Sequence, residues 1–163
     1  MMTFEQLYRT YFEDVHRFAF WLSGNRGEAD DLASETFVRA WSRRNRLQTE
    51  TLKAYLLVIT RNAFLDLRRR TRQREELSEE WPDTTPDPHR HAAARIALDR
   101  VRCELARLPE SERLALALRT EESLSYSEIA RVLGISQGAA RVKVHRARRR
   151  LLDLHLTSPG GVG

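Results

Sequence analysis

Apolar positions recur every three or four residues along most of this chain, and nowhere do they alternate. Phe4, Leu7, Tyr8, Tyr11, Phe12, Val15, Phe18, Ala19 and Leu22 form one such series, which predicts an amphipathic helix. Thr3 and Gln6 make a capping box ahead of it, and Gly24-Asn25 ends it. A second helix is predicted over about 28–44, with Leu32, Thr36, Phe37, Ala40 and Trp41 inward. After a polar break at 45–51, a third is predicted over about 52–72, with Tyr55, Leu56, Ile59, Ala63 and Leu67 as its apolar set. Residues 75–91 hold Pro82, Pro86, Pro88 and clustered acids, with Trp81 as the one large apolar side chain. Such a composition buries too little surface to offset ordering entropy, so it reads as a linker. Helix resumes near Ala92 and continues to Leu108, and Pro109 suits the first position of a further helix reaching Arg119.

The stretch Ser125 to Leu151 reads as a helix-turn-helix. Ser125 and Glu128 form a capping box, Ile129, Ala130 and Leu133 give one apolar face, and Gly134 supplies a left-handed stop. Ile135 plugs the turn and Ser136 caps a second helix. There Ala140, Val144, Ala147 and Leu151 form one buried stripe, while Arg141, Lys143, His145, Arg146 and Arg149 fall largely outside it. From Ile129 to Leu152 there are seven Lys/Arg and no acid. A merely solvated helix would carry acids four residues from its cations. This one suits a phosphate-lined groove.

These patterns predict an all-α protein of two small helical domains, 1–74 and 99–157. A flexible acidic linker, 75–98, joins them, and 158–163 is a disordered tail. Charge sharpens the division. Of 28 Lys/Arg and 23 Asp/Glu, residues 1–74 hold 14 and 9, residues 75–99 hold 2 and 7, and residues 100–163 hold 12 and 7. Two basic modules flanking an acidic tether suit two contacts with nucleic acid. One cysteine, Cys103, excludes an internal disulfide and a thiolate zinc site, and it reads as a small buried apolar residue. No apolar run of membrane-spanning length and no signal pattern is present, which predicts a cytoplasmic protein without membrane insertion. The acid pairs Asp30-Asp31, Glu79-Glu80 and Glu121-Glu122 lack a convergent nucleophile, histidine or metal context. No catalytic role, metal or cofactor is expected.

Three segments together resemble the extracytoplasmic-function group of bacterial sigma factors, the smallest promoter-recognition subunits of RNA polymerase. EADDLASETFVRAW at 28–41 is similar to the family's A-E-D-L-x-Q-E-x-F-x-R-A-W helix. YLLVITRNAFLDLRRR at 55–70 resembles W-L-x-x-I-A-R-N-x-x-x-D-x-x-R-R. Leu108-Pro109 and the helix-turn-helix match L-P-x-x-x-R followed by S-Y-x-E-I-A-x-x-L-G-I-S-x-G and H-R-A-R.

The resemblance implies a role for each module. Asp31, Ser34, Glu35 and Arg39 would dock on the clamp helices of the largest subunit of core RNA polymerase, with Ser34 replacing the family's usual Gln. Arg61 and Asn62 would meet minus-10 DNA, and Arg68, Arg69 and Arg72 its phosphates. The loop at 45–51 would pocket a flipped minus-10 base, and Asp66 would anchor a neighbouring helix or a cap rather than touch DNA. Thr60 stands where Ala is usual. For minus-35 DNA, Arg141, Val142 and Arg146 match base-edge positions, Lys143 and Arg149 phosphate positions, and His145 lies among them. The amide of Gln137 would add an anion site at the helix start. Val142 and Ala139 depart from the family's usual polar residues, which implies a different promoter preference. An anti-sigma protein is a further expected partner. The tether of about 24 residues stretches to roughly 80 Å and relaxes to ~27 Å, against promoter elements on the order of 50 Å apart. The rival reading is a free-standing dimeric helix-turn-helix regulator, which leaves the N-terminal motifs idle.

Overall fold

The computed structural model describes residues 2–46, 52–77 and 103–157. The expected linker core, the tail, Trp81 and most of the 45–51 loop lie outside them. Among the described residues every regular element is helical: α1 (Phe4–Ser23), α2 (Arg26–Ser42), a 3-10 turn (Arg44–Arg46), α3 (Leu52–Leu77), α4 (Glu110–Thr120), α5 (Tyr126–Leu133) and α6 (Gln137–Thr157). Residues 103–106 form a helical turn ahead of α4.

Local chemistry sets the helix ends. The Thr3–Gln6 box is closed in both directions, Gln6 N–H donating to Thr3 Oγ1 at 3.2 Å and Thr3 N–H to Gln6 Oε1 at 2.9 Å. Asn25 caps α2 by accepting from Glu28 N–H, two residues earlier than the apolar pattern placed the start. Ser125 and Glu128 make the second closed box, at 3.2 and 3.0 Å. Gly24 and Gly134 end α1 and α5 in the left-handed region, at φ 70° and 67°. Pro109 stands one position outside α4, as its N-cap in extended conformation, rather than as the first helical residue. No side chain caps that end. The third helix continues to Leu77, past its expected end at about 72.

Since no atom crowds a Cβ built at Gly134, and the nearest is Arg61 Nη1 at 3.8 Å, the cost of Gly134→Ala is purely conformational. It should destabilise the C-terminal half by about 1–2 kcal/mol, read as a lower urea midpoint at unchanged slope.

In the N-terminal module α1, α2 and α3 surround Leu7, Val15, Phe18, Phe37, Leu56 and Leu57, all 1% exposed or less. Thr36 and Thr60, both fully buried, bond across the α2–α3 seam at 3.0 Å while each also bonds the carbonyl four residues back. Their pairing accounts for a threonine at 60. In the C-terminal module α4 and α5 pack on Ala140, Val144 and Ala147 of α6, all at 0% exposure. Cys103, expected to be buried, is exposed. Its lone thiol sits outside the periodic apolar sets, so no pattern marked its environment.

The two modules do not stand apart. α3 packs on α5, α1 on α4, and the buried apolar residues form one connected cluster. Leu57 and Phe64, buried in α3 but outside its expected stripe, reflect this: α3 is covered on more than one side.

Candidate nucleic-acid interface

The second helix of the helix-turn-helix presents its polar side outward. Ser136 caps it, accepting from Ala139 N–H at 3.1 Å. The buried stripe holds one side of α6, and Gln137, Arg141, Val142, His145, Arg146 and Arg149 are exposed on the other. At about 100° per residue these six spread over roughly half the helix circumference. The guanidinium of Arg141 lies 5.2 Å from the ring centroid of Tyr126, whose ring also carries Arg119 at 4.5 Å. Val142, 46% exposed, is an apolar group within an otherwise polar face.

Lys143 stands apart from that face. It lies on the opposite flank of the buried stripe, where Nζ donates to Ser111 Oγ at 3.0 Å and the side chain borders the seam between the modules. Arg150, not among the expected contacts, pairs at 3.0 Å with Glu112, a buried acid of α4.

On α3 the expected minus-10 residues divide between two faces. Asn62 and Arg69, seven residues apart and so nearly aligned along the helix, are exposed, and Arg69 lies 3.8 Å from Asp66. Arg72 is exposed near the helix end. Arg61 and Arg68 face the C-terminal module. With Phe64, Leu65 and Leu22 they line a cavity of about 290 Å³, closed on the far side by Glu110, Ser111, Leu114, Leu133, Ile135 and Lys143. Arg68 lies over the Phe64 ring at 4.7 Å and reaches Glu110 at 3.6 Å.

Asp31, Ser34 and Glu35 are exposed along α2, as expected, and Val38 joins them at 62% exposure. Its place in the i, i+3, i+4, i+7 series starting at Asp31 was the available signal. Arg39 is committed within the chain, to Glu35 at 2.8 Å and to Asp66 at 3.1 Å, and these acids raise its pKa against the opposing effect of burial. Asp66 thus anchors α3 to α2, the role expected of it.

A charge cluster that no motif marked joins the modules. Glu122, following α4, has a side chain only 2% exposed. Arg17 of α1 donates from Nε to Glu122 Oε1 at 3.0 Å, and Lys53 of α3 donates to the Glu122 carbonyl oxygen at 2.8 Å. Lys53 Nζ lies 3.2 Å from Glu122 Oε2 and 3.6 Å from Asp14, which also pairs with Arg17 at 3.1 Å. Burial pushes the Glu122 carboxyl above the ordinary glutamate value and Asp14 adds to the rise, against the pull of Arg17 and Lys53. Ser123, the next residue, is held at φ 56°, in the left-handed region. Among the described residues no group of three or more His, Cys, Asp or Glu could hold a metal. No described helix is long and apolar enough to cross a membrane.

Helix-turn-helix, basic α3 and capped three-helix module together define an all-helical protein of two modules with the features of a nucleic-acid reader. Sigma-70 region 2 matches residues 7–74 and sigma-70 region 4 matches residues 98–151. Among curated relatives, ECF RNA polymerase sigma factor SigE of Mycolicibacterium smegmatis is 38% identical, over 94% of this chain and 62% of its own length. ECF RNA polymerase sigma factor EcfG of Rhodopseudomonas palustris is 35% identical over 86% of this chain and 78% of its own. Among solved structures, the sigma factor RpoE from Bartonella quintana, in complex with the anti-sigma factor NepR, is 26% identical with a TM-score of 0.75, covering 95% of this chain and 98% of that one. CnrH, in complex with the cytosolic domain of CnrY, is 28% identical with a TM-score of 0.68, covering 93% and 86%. This chain belongs to the extracytoplasmic-function sigma factors of the sigma-70 family.

Proposed function

We propose that this chain binds core RNA polymerase and directs promoter-specific initiation in the cytoplasm, contributing recognition rather than catalysis. The exposed face of α6 carries this reading: a helix capped at its start, buried along one stripe and lined outward by Gln137, Arg141, Val142, His145, Arg146 and Arg149. Arg141 and Arg146 read base edges of the minus-35 duplex, and Arg149 neutralises phosphate. Lys143, held on Ser111 of its own module, is a secondary phosphate contact. Asn62 and Arg61 meet the minus-10 strand, with Arg68, Arg69 and Arg72 along its backbone. Asp31, Ser34 and Glu35, with Val38 between them, form the face for the polymerase clamp, where Arg39 orders Glu35. The similar sigma factor captured with the anti-sigma factor NepR supports an anti-sigma protein as a further partner here.

Run-off transcription with native core enzyme on a randomised promoter library tests the reading. One enriched pair of elements, at a fixed separation and only in the presence of this chain, is the expected result. Tight binding of the free chain to a duplex operator, with no specific transcript from the holoenzyme, would establish the dimeric regulator instead.

A further inference from the structure

We propose that the first turn of α4 sets the roll of α6 about its own axis, with Ser111 and Glu112 acting through Lys143 and Arg150 as positioning residues for minus-35 specificity. The proposal deepens the assignment of α6 as the minus-35 reader and rests on it. Lys143 Nζ donates to Ser111 Oγ at 3.0 Å, and Arg150 Nε lies 3.0 Å from Glu112 Oε2. Ser111 and Glu112 are consecutive in α4, whereas Lys143 and Arg150 are seven residues apart and so nearly aligned along α6. α6 is thus tied at two points along one flank of its buried stripe.

The tie to Glu112 is the firmer one. The Glu112 side chain is 7% exposed and that of Arg150 55%. Glu112 Oε2 is buried without an aligned hydrogen-bond donor, and among the described residues Arg150 is its one ion-pair partner. A roll of α6 that withdrew Arg150 would strand a carboxylate at low dielectric, which is costly. On the other flank of the stripe Arg141 stacks on Tyr126, itself stacked with Arg119.

The stripe alone resists turning poorly. Ala140, Val144 and Ala147 are buried but small, so they interdigitate little with α4 and α5. Base reading is intolerant of turning. At a helix radius of about 6 Å including side chains, a roll of about 20° carries a side chain roughly 2 Å sideways. Hydrogen bonds to base edges hold only over a window of about 0.5 Å. Arg146 follows Lys143 by three positions and precedes Arg150 by four, so it neighbours both braced residues. The base pair that Arg146 reads therefore depends most on Ser111 and Glu112. Arg141, held by Tyr126, depends on them less.

The test uses holoenzyme assembled from the full chain and core polymerase, on the preferred promoter and on promoters with one minus-35 base pair changed at a time. Arg146→Ala and Arg141→Ala identify the pair that each arginine reads, as the position where discrimination disappears. Ser111→Ala with Glu112→Met removes both ties from the α4 side and leaves α6 untouched. Methionine is close to glutamate in volume, and exchange of a buried charge for a well-packed apolar side chain is often neutral for stability. Thermal unfolding should accordingly stay near that of the wild type. Discrimination at the Arg146 pair should fall about tenfold, through loss on the preferred promoter, and at the Arg141 pair about threefold or less. Glu112→Gln, which keeps size but not charge, should give a smaller loss at the same pair. Wild-type discrimination in both variants overturns the brace, as does an equal loss at every base pair, which marks a general loosening of the module. Failure of the minus-35 assignment shows separately, as a wild type indifferent to every minus-35 change.

Discussion

Replacing Arg141 and Arg146 together with alanine should lower transcription from a minus-35-dependent promoter by at least about thirtyfold. Each arginine that reads guanine bidentately is worth about 1–3 kcal/mol of discrimination, and 1.4 kcal/mol is tenfold. Both side chains are exposed on α6, so the substitutions leave its buried stripe intact and the fold should not change. Arg141 stacks near Tyr126, which limits its freedom before DNA arrives. Tyr126→Ala should therefore weaken the same promoter to a smaller degree. Lys143→Ala should cost less than either arginine, because that ammonium is directed to Ser111 and not to the exposed face. Initiation assays on promoters with matched and scrambled minus-35 elements separate these effects. Equal losses on both would show that the arginines contribute charge without sequence reading.

Phe18→Ala should produce the largest loss of stability, about 3–5 kcal/mol, from transfer and cavity terms combined. Phe18 is 0% exposed on α1, in the connected cluster with Phe37 and Leu56. A loss of that size is a large fraction of what a small domain possesses. The N-terminal module should melt near working temperature while the helix-turn-helix, whose stripe Ala140, Val144 and Ala147 is packed by α4 and α5, survives. Urea unfolding followed by far-ultraviolet circular dichroism should show a first transition shifted to low denaturant and a second nearly unmoved. Binding to core polymerase should fail in parallel. A single transition shifted as a whole would mean that the seam between modules couples their unfolding.

What was legible in the sequence was local. The Thr3–Gln6 and Ser125–Glu128 boxes, the left-handed Gly24 and Gly134, and the stripe Ala140, Val144, Ala147 all follow from contacts within a few residues. Such interactions depend on spacing along one helix, which a sequence displays directly. The same reasoning identified Asp66 as an anchor but assigned Arg39 to an outward face. Its partner lies 27 positions away in sequence, on another helix, and periodicity carries no record of that distance. Leu57 and Phe64 escaped the apolar stripe of α3 for a related reason. A stripe is defined against one packing partner, and α3 has the C-terminal module as well.

By itself, then, the sequence determined the helices, their caps, the two basic modules and the face of α6 that meets solvent, because each is set by side chains three or four residues apart. Tertiary structure alone decided which charges are available and which are already engaged. Glu122, half of an unremarkable acid pair in sequence, becomes a buried junction for Arg17 and Lys53, and Lys143 leaves the surface its neighbours share. Burial and the approach of distant helices set the worth of a charge, and neither is written in the local spacing of residues.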